Sequence, residues 1–250
     1  MSGSVPGFHA LIYHEIVPLA ELPNGGREVT VSDGYRDVLP DRLFVAVDEF
    51  KRQMRWLAEH GYVSVTLSDV KAFYFDHAPP PEHSVLLCFD DLYQSVKQHA
   101  YPVLRELGFH AVGFVVHDWI FPDPQPPNRK RSITLSWAEL DEMHDVFEYA
   151  HHSAGFHTRG PDGPALQSAT RTEIRDDIER GAERLDEPHI YAYPFGLSSL
   201  EAVAWLAETG VRLAFTTQSG YNNADTPKLQ LNRTGVLRTT SFAEFVSALK

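Results

Sequence analysis

The sequence predicts an α/β fold: a closed or partly closed (β/α) barrel of about seven strands, ahead of a doubly wound open sheet. Three observations carry this. Short apolar runs alternate with amphipathic stretches along the 250 residues, the rhythm of parallel strands with helices outside them. One run, Val85-Leu86-Leu87-Cys88-Phe89, is apolar at every position, as a strand covered on both faces must be. The unusual polar residues also follow the strands, at the C-terminal ends that form the functional rim of a barrel.

Each element has its own signal. Ala10-Leu11-Ile12-Tyr13 reads as the first strand. Residues 48–60 read as a helix, with Phe50, Met54, Leu57 and Ala58 on one face and Gly61 as its stop. A strand over 62–67, a short helix over 68–75 and a turn at Pro79-Pro80-Pro81 follow. After the 85–89 strand comes a helix over about 93–107, ended by Gly108, and a strand over 111–116. Ser136-x-x-Glu139 fits a capping box opening a helix to about Asp145, before a strand over 147–150. Thr170-x-x-Glu173 opens a helix to about Leu185, and 190–193 is a strand. Ser198-x-x-Glu201 opens a helix closed by Gly210, 211–216 is a strand, and Ser241-x-x-Glu244 caps the terminal helix. Residues 18–43 and the Pro-rich 117–135 are left as long loops, long enough to wall a groove.

Composition narrows the function. The chain is 43% hydrophobic, enough for one large domain without an evident linker. Its net charge of −12 makes nucleic acid or an anionic membrane an unsuitable partner, and is compatible with a neutral or cationic ligand. Cys88 is the single cysteine, so no intramolecular disulfide forms, and it reads as a small buried space-filler. No apolar run approaches the ~18 residues of a membrane span. The Met1-to-Gly7 start lacks the basic and apolar segments of a signal peptide. The expected location is therefore cytoplasmic if the chain is complete as given, and exported or cell-surface if a signal was removed.

The polar residues at the strand ends carry the chemistry. Asp90 and Asp91 end a fully apolar run, and adjacent carboxylates there call for a metal or an acid–base role, because desolvating unpaired charge is costly. His152 and His157 flank a Gly-containing turn that can aim both imidazoles at one point. With Asp91 they make a two-His, one-carboxylate set suited to Zn²⁺, Fe²⁺, Co²⁺ or a similar ion, with positions left for water. His117-Asp118 is a second, weaker metal candidate. His14 and the Tyr193-Pro194-Phe195-Gly196 turn also follow strands, while His60 and His99 read as surface residues.

In this order, Phe89-Asp90-Asp91, His152-Ser153-x-x-x-His157 and Tyr193-Pro194-Phe195-Gly196 resemble the polysaccharide deacetylases, the NodB-homology group or carbohydrate esterase family four. The spacing of the two histidines, the Tyr13-His14 pair and Leu231-Asn232-Arg233-Thr234-Gly235-Val236 resemble the branch that deacetylates poly-N-acetylglucosamine in biofilm matrices. The resemblance implies a distorted (β/α) barrel and N-deacetylation of an N-acetylated glycan, with release of acetate. It implies one divalent ion, zinc first and cobalt, nickel or iron as alternatives, on Asp91, His152 and His157. Asp90 would be the general base and His14 the general acid, in a chain with no histidine after His189. A backbone N–H near Phe195 would meet the oxyanion. Tyr193 and Trp119 would be the aromatic residues nearest the sugar, with ordinary packing at least as good a reading for Trp119. Two positions depart from the family pattern: Leu92 replaces a Gly, and Ala192 stands where an Arg orients the base, a role Arg233 could fill from another strand end. Two other readings stay open: an amidase acting on a different small amide, which a narrow, closed pocket would favour, and a carbohydrate-binding pseudoenzyme, which the two departures motivate.

Overall fold

A computed structural model describes residues 5–160 and 163–250. Met1 to Ser4, part of the stretch expected to carry no export signal, lie outside the described residues. Seven parallel strands curl into a half-barrel. Their spatial order is Leu213–Phe215, Glu187–Ala192, Phe147–His151, Ala111–Val115, Ser84–Asp90 and Gly7–Tyr13, with the short Val63–Ser64 strand pairing the start of Ser84–Asp90. Residues 231–235 reach across from the Leu213–Phe215 edge to the Gly7–Tyr13 edge. Leu231 bridges Phe215, while Thr234 and Gly235 pair with Leu11 and Ile12. Tyr221–Asn223 adds an antiparallel strand on Gly7-to-His9. Neither short piece was anticipated, because Tyr-Asn-Asn and Thr-Gly carry no apolar periodicity.

Strand alternation divides the apolar residues between two layers. Phe8, Ala10, Leu86, Cys88, Val112, Phe114, Ala150, Ile190 and Ala192 fill the barrel interior. Their odd-numbered neighbours Leu11, Tyr13, Leu87, Phe89, Phe147 and Tyr149 pack outward under helices such as Val47–Glu59, which buries Phe50, Met54 and Leu57. Cys88 is buried and unpaired.

Several elements differ from their expected form for local reasons. The strand expected over 62–67 keeps only Val63–Ser64, because Thr66 and Asp69 form a capping box that starts the helix at Leu67. The helix expected over 93–107 is a π turn, Val96–Ala100, followed by α-helix Tyr101–Leu107. Pro102 has no N–H to give the preceding turn, so the regular ladder restarts around it. The helix opened by Ser136 stops at Asp141.

The two long loops are not structureless. Arg27–Thr30 pairs with Val38–Leu39 on one side and Arg131–Ile133 on the other, making a three-stranded sheet from both loops. Val29, Val31 and Leu39 bury under it with Tyr93 and Trp119. Arg131 pairs with Glu28 and Arg129 with Glu21, so these two bases of the second loop sit among carboxylates of the first. Among the described residues no helix is long and apolar enough to cross a membrane.

Candidate active site

Four of the six non-glycine residues with left-handed backbone among the described residues lie at the functional rim: Asp91 (φ 65°), Leu92 (56°), Ser153 (72°) and Phe195 (59°). Strained backbone persists where surrounding structure holds it, and it concentrates at functional sites. Asp91 and Leu92 are held by Asp91 N–H donating to the Phe114 carbonyl and Leu135 N–H to the Leu92 carbonyl. Leu92 adopts this conformation although it is not glycine, and its buried side chain packs in the outer core.

Asp90 continues the inward series of Leu86 and Cys88, so its carboxylate enters the barrel top. There Arg233 donates to both oxygens, Nη1 to Oδ1 at 2.6 Å and Nη2 to Oδ2 at 3.1 Å. Arg233 is fully buried, donates Nε–H to the Thr216 carbonyl at 2.9 Å, and lies 4.9 Å above the Phe114 ring. The segment that spans the open side of the barrel thus delivers the cation. Burial alone would raise the Asp90 pKa; Arg233, then His152 and His14, outweigh it and hold the carboxyl at about 2.

His152 also faces inward, in phase with Ala150, whereas His151 faces out and packs against Tyr191 and Gly181. His152 Nδ1 lies 2.7 Å from the Ala192 carbonyl, so it carries the proton and leaves the Nε2 lone pair free. At the position where an orienting Arg was sought, Ala192 thus contributes its backbone. The loop to His157 is fixed by Asp177, whose carboxylate accepts Ala154 N–H at 2.8 Å and Gly155 N–H at 2.7 Å. Gly155 packs closely under these groups: a Cβ would stand 2.8 Å from Asp118 Oδ2 and 2.9 Å from Arg180 Nη2, so both side chains would have to shift.

Asp91, His152 and His157 each offer an atom within 4.8 Å of the others. Asp91 Oδ1 lies 3.7 Å from His152 Nε2 and 3.4 Å from His157 Nε2. Two atoms bound to one tetrahedral ion at ~2.0–2.1 Å stand about 3.4 Å apart. Asp91 Oδ1 is buried without a hydrogen-bond partner, a costly state for a carboxylate unless a cation completes it. The residues therefore fit a divalent ion. Burial lowers both imidazole pKa values to about 4, keeping them neutral as ligands must be. His117 and Asp118 do not join the cluster: they face each other at 3.3 Å, and Asp118 also binds Arg180.

A cavity of about 370 Å³ opens over this group and is lined by His14, Asp90, Asp91, His152, His157 and Phe195, among others. His14 is half-buried, and its charge acts on both aspartates. The Phe195 ring packs 4.4 Å from that of His157, and the Arg159 guanidinium lies 4.0 Å from the Phe195 ring centre. Trp119 lines the cavity edge-on to His157 at 4.6 Å and stacks on Tyr35 at 5.8 Å. Tyr193 requires a correction. Its odd position turns the side chain outward into the cluster with Tyr191 and Leu206, and its hydroxyl donates to the Leu229 carbonyl. It does not present its ring to a sugar.

Two further residues at the site belong to none of the sequence motifs. Tyr93 donates its hydroxyl to Asp91 Oδ2 at 3.1 Å, leaving Oδ1 for the metal. Asp177 lies on the buried face of helix Arg171–Gly181 with Ile174, Ile178 and Gly181; an acid on an apolar helical face was the available signal. Tyr93→Phe should keep the fold and weaken metal binding by about ten-fold or more, as loss of a ligand's supporting hydrogen bond does. Titration against a chelator checks this, and unchanged affinity would reduce Tyr93 to packing.

The buried histidines also set a pH dependence. His151 is lowered to about 3, and His152 and His157 to about 4, in each case first by burial. Below the unfolded value near 6.5 the unfolded chain binds more protons than the folded one. Stability of the metal-free protein should therefore be full above about pH 6.5 and fall by on the order of a few kcal/mol towards pH 4. Denaturant midpoints measured across that window check this; a flat profile would contradict it.

Residues 77–214 match the family model described as polysaccharide deacetylase. The chain is 25% identical over 238 residues to the poly-beta-1,6-N-acetyl-D-glucosamine N-deacetylase of Escherichia coli K12, covering 81% of this chain and 35% of that one. It is 26% identical over 198 residues to the protein of the same name from Staphylococcus epidermidis, covering 76% and 66%. It thus spans about a third of the first relative's length and just under two thirds of the second's. In fold it resembles the Streptococcus pyogenes deacetylase PplD, with a TM-score of 0.76 at 21% identity over 99% of this chain and 100% of that one. Since the family model matches more than half of its length, the chain belongs to the polysaccharide deacetylases.

Proposed function

We propose that the chain hydrolyses the acetamide of an N-acetylated glycan of the poly-β-1,6-N-acetylglucosamine type, releasing acetate and leaving a free amine. The observation that carries this reading is the pairing of two differently held carboxylates in one cavity. Asp90 is locked on Arg233, while Asp91 aims an unpartnered oxygen at two neutral imidazoles. A divalent ion on Asp91, His152 and His157 would acidify a water and polarise the acetamide carbonyl. Zinc suits this two-nitrogen, one-oxygen set, as do cobalt, nickel and iron.

The chain's own groups supply the rest. Asp90 takes the water proton as the oxygen attacks the carbonyl carbon, and Arg233 fixes the carboxylate plane for that transfer. The Phe195 amide, in its left-handed turn at the cavity wall, is the candidate donor to the developing oxyanion. His14 gives a proton to the nitrogen as the C–N bond breaks, since an amide anion is a far poorer leaving group than an amine. Acetate release from a panel of N-acetylated glycans, after chelation and with each metal restored, tests the reading. Folded, metal-loaded protein that releases no acetate from any of them would sink it.

A further inference from the structure

Beside the active-site cavity lies a second one of about 540 Å³, set against the three-stranded sheet that the two long loops build together. Its lining is Glu28, Val29, Arg36, Asp37, Val38 and Arg131. Asp37 and Val38 line both cavities, so the two meet at that pair. We propose that this second cavity is a glycan subsite, holding sugar units of the substrate chain beyond the one being deacetylated. The proposal rests on the deacetylase reading and deepens it, since it makes an extended chain rather than a small amide the preferred ligand.

The lining has the chemistry that sugar rings require. Val38 is 48% exposed, beside buried Val29, and gives an apolar ledge for the C–H face of a pyranose. Three of the polar groups around it have local partners. Asp37 Oδ1 accepts its neighbour's Val38 N–H at 2.7 Å and Oδ2 the Tyr35 hydroxyl at 3.3 Å. Arg131 Nη2 sits 2.7 Å from Glu28 Oε2, and its Nη1 donates to Thr30. Planar carboxylates and guanidinium groups suit paired hydroxyls. Arg36 is exposed and has no ion pair among the described residues, which leaves its donors for a hydroxyl or an acetamide carbonyl. Two acids face two bases, so the lining favours a neutral chain over a polyanion. Both volumes fall in the ~300–1,000 Å³ range of ligand sites.

The second cavity is also tied mechanically to the first. Tyr35, which holds Asp37, accepts Arg159 N–H at 3.1 Å and stacks on Trp119, which in turn abuts His157. A chain seated across Asp37 and Val38 would therefore press on the same wall that positions a metal ligand.

The test follows acetate release from β-1,6-linked N-acetylglucosamine oligomers, dimer to hexamer, in metal-loaded wild type and Arg36→Ala. Wild-type kcat/KM should rise about ten-fold with length, equivalent to about 1.4 kcal/mol of added binding. Arg36→Ala should remove most of that rise, through KM. A wild-type profile independent of length, or a variant profile parallel to it, overturns the subsite and leaves deacetylation standing. If no oligomer releases acetate, the deacetylase reading fails, and calorimetric titration of hexamer into the metal-free proteins decides the subsite. Binding lost in Arg36→Ala supports it, and equal binding or none in wild type overturns it.

Discussion

Asp90→Asn should lower acetate release by about 10²–10⁴-fold, the usual contribution of a general base, and should also destabilise the fold by about 3–5 kcal/mol. The second effect arises because Asp90 is also half of a buried ion pair. Arg233 is fully buried, and its partners are the two Asp90 oxygens and the Thr216 carbonyl. Asn keeps the shape but removes the charge, leaving a guanidinium uncompensated in the barrel. The sign of the pH effect agrees. With the folded Asp90 pKa held at about 2, below the unfolded value of about 3.8, the stabilisation is full above about pH 4 and lost as pH falls towards 2. The two losses separate in the double variant Asp90→Asn/Arg233→Met, which should regain much of the stability and none of the activity, because buried ion pairs replaced by apolar groups are often neutral. Denaturant unfolding and acetate release on the same preparations check both. Activity retained with metal bound would mean that another group takes the water proton.

Much of this site was legible in the sequence, and what was missed follows a physical pattern. The Val85-to-Phe89 run hid its own alternation, because a strand covered on both faces is apolar at even and odd positions alike. Continued past the strand end, that alternation places Asp90, His152 and His14 on the inner face with Cys88, Ala150 and Ile12, and turns Tyr193 and His151 outward. The motif puts Tyr193 at the rim in sequence, but its odd parity puts its side chain outside, and a motif carries no parity signal. The small sheet over the site escaped because Arg27–Thr30 and Arg131–Ile133 are too short for a periodic signal and pair across about a hundred residues. Asp177 acts through backbone N–H groups of Ala154 and Gly155, which carry no side-chain signature. By contrast, the capping boxes at Ser136, Thr170 and Ser241 stand where their spacing put them, since each is a contact within one turn.

His14→Ala should separate proton donation from metal chemistry. His14 follows the strand adjacent to Ser84–Asp90 and lines the same cavity, yet it is not one of the three residues whose ligand atoms converge. Metal affinity, measured by competition with a chelator, should therefore stay within about three-fold of wild type, as expected when no ligand or ligand partner is removed. The kcat on an N-acetylated glycan should fall by about 10²–10⁴-fold, because the amine must be protonated as it leaves. An activated aryl ester needs no such proton, since its phenolate departs as an anion, and the same variant should lose less than about ten-fold on it. Equal losses on both substrates would mean that His14 serves binding, folding or the metal site. An acid supplied from elsewhere in the cavity, through a water held between Asp90 and the substrate nitrogen, would leave both rates nearly intact. The ratio of the two losses thus measures the proton that His14 delivers.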